Sequence, residues 1–128
     1  MRLFRSISLR GFTLIELLVV MAIITLLLTL ALPRYFNRLH QSEEIALKHD
    51  LAVIREALDQ FHADRGIYPE NLQTLVDARY LKAIPPDPIT GSKGTWVLLA
   101  PADGSAGIGD IKSGATGTAS DGSRYQTW

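Results

Sequence analysis

The residues most able to do chemistry lie near the N-terminus, where Gly11 and Phe12 precede an apolar stretch that contains one carboxylate, Glu16. From Leu14 to Leu32, Glu16 is the only charged residue. A charged side chain near the centre of a membrane helix costs about 3 kcal/mol or more, so acids in such positions are usually paired and functional. Glu16 therefore needs a partner, and the basic residues of the chain lie outside the apolar stretch.

The rest of the sequence contains no catalytic constellation. His40, His49 and His62 lie on a predicted helix without the His-Glu-x-x-His spacing of a zinc peptidase. The sequence has no cysteine and no Gly-x-Ser-x-Gly turn. His62 is interpreted as forming a solvated pair with Asp64, and we expect a protein that is not an enzyme.

The apolar stretch is long enough to cross a membrane as a helix, because about 20 residues at about 1.5 Å each span a hydrocarbon core of about 30 Å. Arg2, Arg5 and Arg10 precede it. By the positive-inside rule they hold the N-terminus in the cytoplasm, so residues after Leu32 are expected to be exported. A simple anchor or a secretory signal peptide is the alternative, but neither explains Glu16.

The hexapeptide Gly11-Phe12-Thr13-Leu14-Ile15-Glu16 resembles the class III signal of type IV pilins and pseudopilins. The resemblance implies that a prepilin peptidase cleaves between Gly11 and Phe12 and methylates the new amine of Phe12. It also implies that Glu16 pairs with the N-terminal amine of a neighbouring subunit in a filament.

A second resemblance lies beyond the apolar stretch. Asp64-Arg65-Gly66-Ile67-Tyr68-Pro69 is similar to the Asp-Asn-Gly-x-Tyr-Pro of the major pseudopilins of type II secretion systems, and Tyr80-Leu81, Ile84-Pro85, Asp87-Pro88 and Trp128 follow at the family's spacing. The implied function is a structural subunit of a periplasmic filament that helps drive folded exoproteins across the outer membrane. The implied partners are other copies of the chain, the prepilin peptidase, other pseudopilins and the inner-membrane secretion platform.

The charge of the chain argues against nucleic acid as a partner, and two alternative functions stay open. The thirteen basic and thirteen acidic residues become ten and thirteen once the three leader arginines are removed, and no basic cluster remains. Nucleic acid is therefore not expected as a partner. A type IV pilin for adhesion, motility or DNA uptake is the first alternative, although many pilins carry a disulfide that this chain lacks. A membrane-anchored periplasmic binding domain is the second.

The sequence divides into four parts: a prepilin leader (1–11), a transmembrane and assembly helix (12–33), its amphipathic periplasmic continuation (34–66) and a small globular periplasmic domain (67–128). We expect a single-pass protein of the inner membrane. Pro33 predicts a kink or local melting near residues 29–33, because it removes one helical hydrogen bond. The alternative is that the helix ends at Pro33.

Residues 34–65 predict a helix with one apolar face, because they contain no Gly or Pro and their apolar residues recur at spacings of four and three. These apolar residues are Leu47, Leu51, Ile54, Leu58 and Phe61, opposed by Lys48, Arg55, Glu56 and Asp59. Gly66 is expected to end the helix as a left-handed C-cap. A dimeric coiled coil is the alternative use of this face.

The remaining residues predict an α+β fold, in which the long N-terminal helix packs against a small domain with a short helix and a three-stranded antiparallel sheet. The short helix begins at Leu72 and extends as far as Tyr80, and the proline-rich segment 84–88 forms an ordered loop. The three strands are expected at 96–100, 108–112 and 123–128, because Gly and Ser separate these apolar runs.

The Gly- and Ser-rich loop from 113 to 122 is a candidate metal site. The resemblance implies calcium there, since related pseudopilins bind it, but Thr116 stands where the family has an aspartate. Ser113, Thr116 and Asp121 are the remaining candidate ligands. Calcium prefers six to eight oxygens, usually with carboxylates, so the predicted site is weak. The alternative is a loop held by hydrogen bonds alone, and no other cofactor is expected.

Overall fold

The computed structural model describes residues 10–128, so most of the leader, including Arg2 and Arg5, lies outside the described residues. The elements are α1 (Leu14–Arg65), α2 (Leu72–Asp77), β1 (Val97–Leu99), β2 (Asp110–Lys112) and a 3-10 helix (Tyr125–Thr127). The chain divides into two compact units, one up to Asn37 and one from Arg38 to Trp128.

The first unit contains the apolar part of α1. Its large apolar side chains between Leu14 and Leu32 are all exposed, by 45% to 77%. Among residues 10–128, α1 is the one helix that is long and apolar enough to cross a membrane. The helix continues through Pro33, so the predicted local melting is absent, and the alternative of a helix that ends at Pro33 is wrong. Proline suits the backbone angle of a helix and removes only one hydrogen bond.

The second unit is organised around the apolar face of α1. Leu47, Leu51, Ile54, Leu58 and Phe61 are all exposed by 2% or less, which confirms the predicted face. They form one cluster with Leu72, Leu75, Leu81, Trp96, Ile108, Ile111, Ala115 and Tyr125. Because the face is buried within its own chain, it is not available for a dimeric coiled coil.

One residue of the predicted polar face has a different role. Glu56 and Asp59 are exposed, but Arg55 is half-buried. The Arg55 guanidinium donates to Asp110 Oδ1 at 2.8 Å and to the carbonyl oxygens of Ile111 at 2.8 Å and Trp128 at 2.7 Å. The long side chain reaches past the edge of the apolar face, so Arg55 joins α1 to β2 and to the C-terminal segment.

Local signals fix the segment between the two helices. Gly66 has a φ of +67° and ends α1 as predicted. Asn71 begins α2, since its side-chain oxygen accepts a hydrogen bond from the Thr74 amide at 2.9 Å. The short helix ends at Asp77 rather than at the predicted Tyr80, because Arg79 takes a φ of +65° that breaks the helical backbone.

The sheet has two strands rather than the predicted three. Strands β1 and β2 are antiparallel, with Leu98 opposite Ile111, and both are shorter than the predicted ranges. The third predicted strand, 123–128, is wrong: it makes one bridge, between Thr118 and Arg124, and then forms the 3-10 helix.

The physical reason is that side chains tie the C-terminal segment to α1 instead of to a strand. The Tyr125 hydroxyl donates to Glu44 Oε1 at 3.1 Å, and Arg55 binds the Trp128 carbonyl oxygen. The Tyr125 and Trp128 rings meet edge to face at 5.3 Å, and the Lys48 ammonium lies 4.4 Å from the Trp128 ring centre.

A chain truncated to start at Arg34 is expected to be soluble, largely monomeric and folded. Leu58→Ala in this chain should lower the free energy of unfolding by about 2 to 5 kcal/mol, because it leaves a cavity in the core. Urea denaturation followed by tryptophan fluorescence measures the change. Ile45→Ala is the matched control, since Ile45 lies on the same helix but is 69% exposed; it should cost less than about 0.5 kcal/mol. Equal losses for both variants would contradict the core position of Leu58.

Candidate functional site

The bond between Gly11 and Phe12 lies in non-helical backbone just before α1. Gly11 is exposed, and among the described residues other than its chain neighbours no atom lies within 4 Å of the position that a Cβ would occupy there. The Phe12 side chain is 88% exposed. A peptidase must bind extended backbone around the bond that it cleaves, and this bond is outside the hydrogen-bonded helix.

Thr13 starts α1. Its hydroxyl accepts a hydrogen bond from the Glu16 amide at 3.3 Å, and its carbonyl accepts one from the Leu17 amide at 3.2 Å. Thr-x-x-Glu is the spacing of a capping box. This cap was not predicted from the sequence, although the Thr-x-x-Glu spacing indicates one.

The Glu16 side chain lies on the exposed first turn of α1. Within residues 10–128, its carboxylate takes part in no hydrogen bond and no salt bridge. The nearest basic residue that follows it, Arg34, is 18 positions further on, or about 27 Å along a helix. The described part of the chain therefore supplies no partner for this carboxylate.

The three histidines do not form a site. His40 lies 3.4 Å from Glu43 on an exposed helical surface. The His62 ring stacks on Tyr68 at 3.9 Å. The expected His62–Asp64 pair is wrong, because Asp64 instead accepts a hydrogen bond from the Tyr80 hydroxyl at 2.7 Å.

The N-terminal residues match a known family model, described as the prokaryotic N-terminal methylation motif, over residues 9–32. The chain is similar to the type II secretion system core protein G of Pseudomonas aeruginosa. The two are 33% identical over a region that covers 78% of this chain and 88% of the relative. This chain belongs to the type II secretion core protein G family.

Other members of the core protein G family and one fimbrial protein are also similar to the chain. Core protein G of Escherichia coli is 31% identical over 97 residues, covering 73% of this chain and 65% of the relative. The fimbrial protein EcpC of Eikenella corrodens is 28% identical over a region that covers 89% of this chain and 78% of the relative. No solved structure matches significantly. The resemblance to pseudopilins that the sequence indicates is thereby confirmed.

In this core protein G family member, two of the three candidate calcium ligands are engaged in hydrogen bonds within the protein. Ser113 is fully buried, and its hydroxyl donates to Asp87 Oδ2 at 2.5 Å while accepting from the Ala115 amide at 3.1 Å. Asp121 accepts from the amide and hydroxyl of Ser123 at 2.9 Å and 2.6 Å. Both side chains are thus already engaged with the protein.

Thr116, the third candidate, lines an open depression with Gly117, Thr118, Arg124 and Gln126. The Arg124 guanidinium opposes a cation there. Between residues 10 and 128, no group of three or more His, Asp or Glu side chains is arranged to hold a metal. Ser113 and Asp121 are hydrogen-bonded within the protein, and calcium binding by the loop stays a prediction.

We expect that a bulky replacement such as Gly11→Leu leaves the precursor uncut, because a side chain next to the scissile bond blocks the peptidase. N-terminal analysis and intact mass of membrane-extracted protein measure this, with wild-type protein expected to begin at a methylated Phe12. Thr13→Ser, which keeps the hydroxyl that caps α1, is the control and should be cut normally. A wild-type chain that retains Met1 would contradict the assignment.

Proposed function

We propose that this chain is the major pseudopilin of a type II secretion system. In this role it is a structural subunit, not an enzyme, and it polymerises into a periplasmic filament that helps drive folded exoproteins across the outer membrane. The observation that carries the proposal is the 33% identity to core protein G of Pseudomonas aeruginosa over 88% of that relative. The methylation motif over residues 9–32 supports it independently.

The first proposed step in the maturation of the subunit is insertion into the inner membrane as a single-pass protein. The leader arginines hold the N-terminus in the cytoplasm, and residues after Leu32 enter the periplasm. A prepilin peptidase then cleaves between Gly11 and Phe12 and methylates the amine of Phe12. The exposed, non-helical backbone at Gly11 supports this order, because the bond can be reached while α1 is already formed.

Glu16 is proposed to select the position of each subunit in the filament. A neighbouring copy, shifted along the filament axis, brings the amine of its Phe12 beside the Glu16 carboxylate, and methylation leaves this amine basic. An ion pair at about 4 Å gains roughly 4 kcal/mol at an effective dielectric constant of 20. Desolvation offsets part of this gain, so the pair fixes the axial register while apolar packing supplies most of the attraction.

The apolar surface available for that packing continues beyond the membrane span. Tyr35, Phe36 and Leu39 on α1 are 64%, 53% and 42% exposed. Exposed aromatic and aliphatic side chains in series are typical of protein interfaces. We assign them to contacts with other copies of the chain and with other pseudopilins. The secretion platform of the inner membrane is the further proposed partner.

A type IV pilin is the second candidate, favoured by the similarity to the fimbrial protein of Eikenella corrodens over 89% of this chain. Identity to that protein is lower, at 28%, and the sequence has no cysteine for a pilin disulfide. The two functions differ in their products. Loss of the gene abolishes secretion of folded proteins in the first case and surface fimbriae in the second.

Glu16→Val should leave membrane insertion and cleavage after Gly11 intact but abolish ordered multimers and secretion, because the neighbour's amine loses its counter-charge. Glu16→Gln should be intermediate or equally defective. Cross-linking of subunits in membranes, with cleavage followed in the same samples, measures assembly.

The matched control for this experiment is Thr25→Val. Thr25 is an uncharged polar residue of the span. Unlike the Glu16 carboxylate, its hydroxyl has a partner in its own helix, because it donates to the Met21 carbonyl at 2.8 Å. It needs no partner from another subunit, so Thr25→Val should assemble normally. Wild-type multimers and secretion for Glu16→Val would refute the proposed role of Glu16.

A further inference from the structure

Glu44 on α1 is a buried carboxylate, 8% exposed, that binds the C-terminal segment. Its Oε1 accepts hydrogen bonds from the Ser120 amide at 2.8 Å and the Tyr125 hydroxyl at 3.1 Å, and its Oε2 accepts one from the Ser120 hydroxyl at 2.5 Å. Three donors from one short stretch of chain thus converge on a single anion. Hydrogen bonds to a charged acceptor are shorter and stronger than those between neutral groups.

Asp87 holds the beginning of the same segment. Its side chain is fully buried, and Oδ2 accepts a hydrogen bond from the Ser113 hydroxyl at 2.5 Å. Its Oδ1 accepts one from the Ile89 amide at 2.8 Å. The Ser113 oxygen in turn accepts a hydrogen bond from the Ala115 amide, so the carboxylate acts through Ser113 on the backbone that follows it.

The polarity of these contacts is opposite to that of a calcium site. A cation gathers oxygen lone pairs around a positive charge. Here the segment instead directs N–H and O–H donors from Ser120, Tyr125 and Ser113 at negative charges that lie outside it. A backbone N–H cannot bind a cation, and the Ser113 hydroxyl is already used both as a donor to Asp87 and as an acceptor from the Ala115 amide.

We propose that Glu44 and Asp87 hold the segment from Ser113 to Tyr125 in place of a bound calcium ion, so that this domain is ordered without metal. The two carboxylates act as a clamp at the two ends of the segment. The clamp concerns the stability of the C-terminal domain alone and does not depend on the proposed function.

The electrostatics of Glu44 agree with a clamp that works in its charged form. The hydrogen bond from the Ser120 hydroxyl, more than any other contact, lowers the pKa of Glu44 below its ordinary 4.5, against the opposing effects of burial and of the Asp121 charge. Burial and the neighbouring Glu44 raise the pKa of Tyr125, which keeps its hydroxyl protonated as a donor. The other charged groups around the clamp are Glu43 and Lys48.

The sign of the pH dependence follows from these shifts. Because the folded pKa of Glu44 is lowered, its contribution to stability is complete above pH 4.5 and is lost as the pH falls through the folded value. Asp50 acts in the opposite sense. Burial raises its pKa above 3.8, so its contribution declines as the pH rises through that range. The contribution of Glu44 is therefore obtained as the difference between wild type and Glu44→Gln in the loss of folding stability as the pH is lowered.

The test uses the full-length chain in detergent micelles. Trypsin cleavage after Arg124, an exposed residue within the clamped segment, reports local opening and is followed by mass spectrometry. Glu44→Gln should accelerate this cleavage roughly tenfold at pH 7, because a donor replaces one acceptor oxygen. It should also lower the melting temperature by about 4–8 °C.

Glu43→Gln is the matched control, because Glu43 is adjacent in sequence and contacts only His40 among the described residues at 3.4 Å. It should cleave at the wild-type rate. If Glu44→Gln fails to fold, Tyr125→Phe removes one donor without unpairing a charge, and it should accelerate the same cleavage by a smaller factor. Equal rates for Glu44→Gln and Glu43→Gln, or for Tyr125→Phe and wild type, would overturn the clamp.

The metal half of the proposal is tested by melting the wild-type chain in excess CaCl₂ and in excess EGTA. The same melting temperature and the same rate of cleavage after Arg124 are expected in both. A saturable rise in melting temperature with calcium, or protection of Arg124 by calcium, would overturn it, because a ligand that binds only the folded state must stabilise that state.

Discussion

The C-terminal domain depends on the burial of one apolar face of α1, from Leu47 to Phe61. This domain is small and has no disulfide, so its stability must come from a core, and six of the fifteen buried apolar residues in the described part of the chain lie on this helix. Both short strands contribute little hydrogen bonding of their own, with three residues each. They are held because Ile111 and the adjoining Trp96 and Ile108 pack on the face of α1.

The polar residues at the margins of that face complete the domain. Arg55 reaches the backbone of Ile111 and Trp128, and Glu44 reaches Ser120 and Tyr125. Both connect α1 to segments more than fifty residues away in the chain. The last part of the sequence therefore needs no strand pairing to be ordered, since long side chains on a rigid helix supply its hydrogen bonds.

The same helix meets two opposite solvent requirements along its length. Its first part exposes every large apolar side chain and suits a hydrocarbon environment, whereas its later part, from Leu47 to Phe61, buries the apolar face and exposes Glu56 and Asp59. A single regular backbone can serve both, because helical hydrogen bonds are satisfied within the segment and do not depend on the surroundings. In the proposed filament this allows one element to carry the membrane anchor, the Glu16 carboxylate and the core of the exported domain.

Sequence by itself determined the features that depend on local chemistry or on periodicity. The apolar length after Leu14, the lone Glu16, the Gly11–Phe12 junction, the 4-3 repeat from Leu47 and the Gly66 cap are all readable because each involves neighbours within a few turns of chain. Tertiary structure alone decided how the C-terminal segment is held. Whether 123–128 forms a strand, whether Arg55 faces water and whether Ser113 is free to bind a metal depend on partners that are distant in sequence: Glu44, Asp110 and Asp87. No local pattern encodes which of several polar side chains on a helix will be buried against a loop, because that choice depends on how the loop closes over the core.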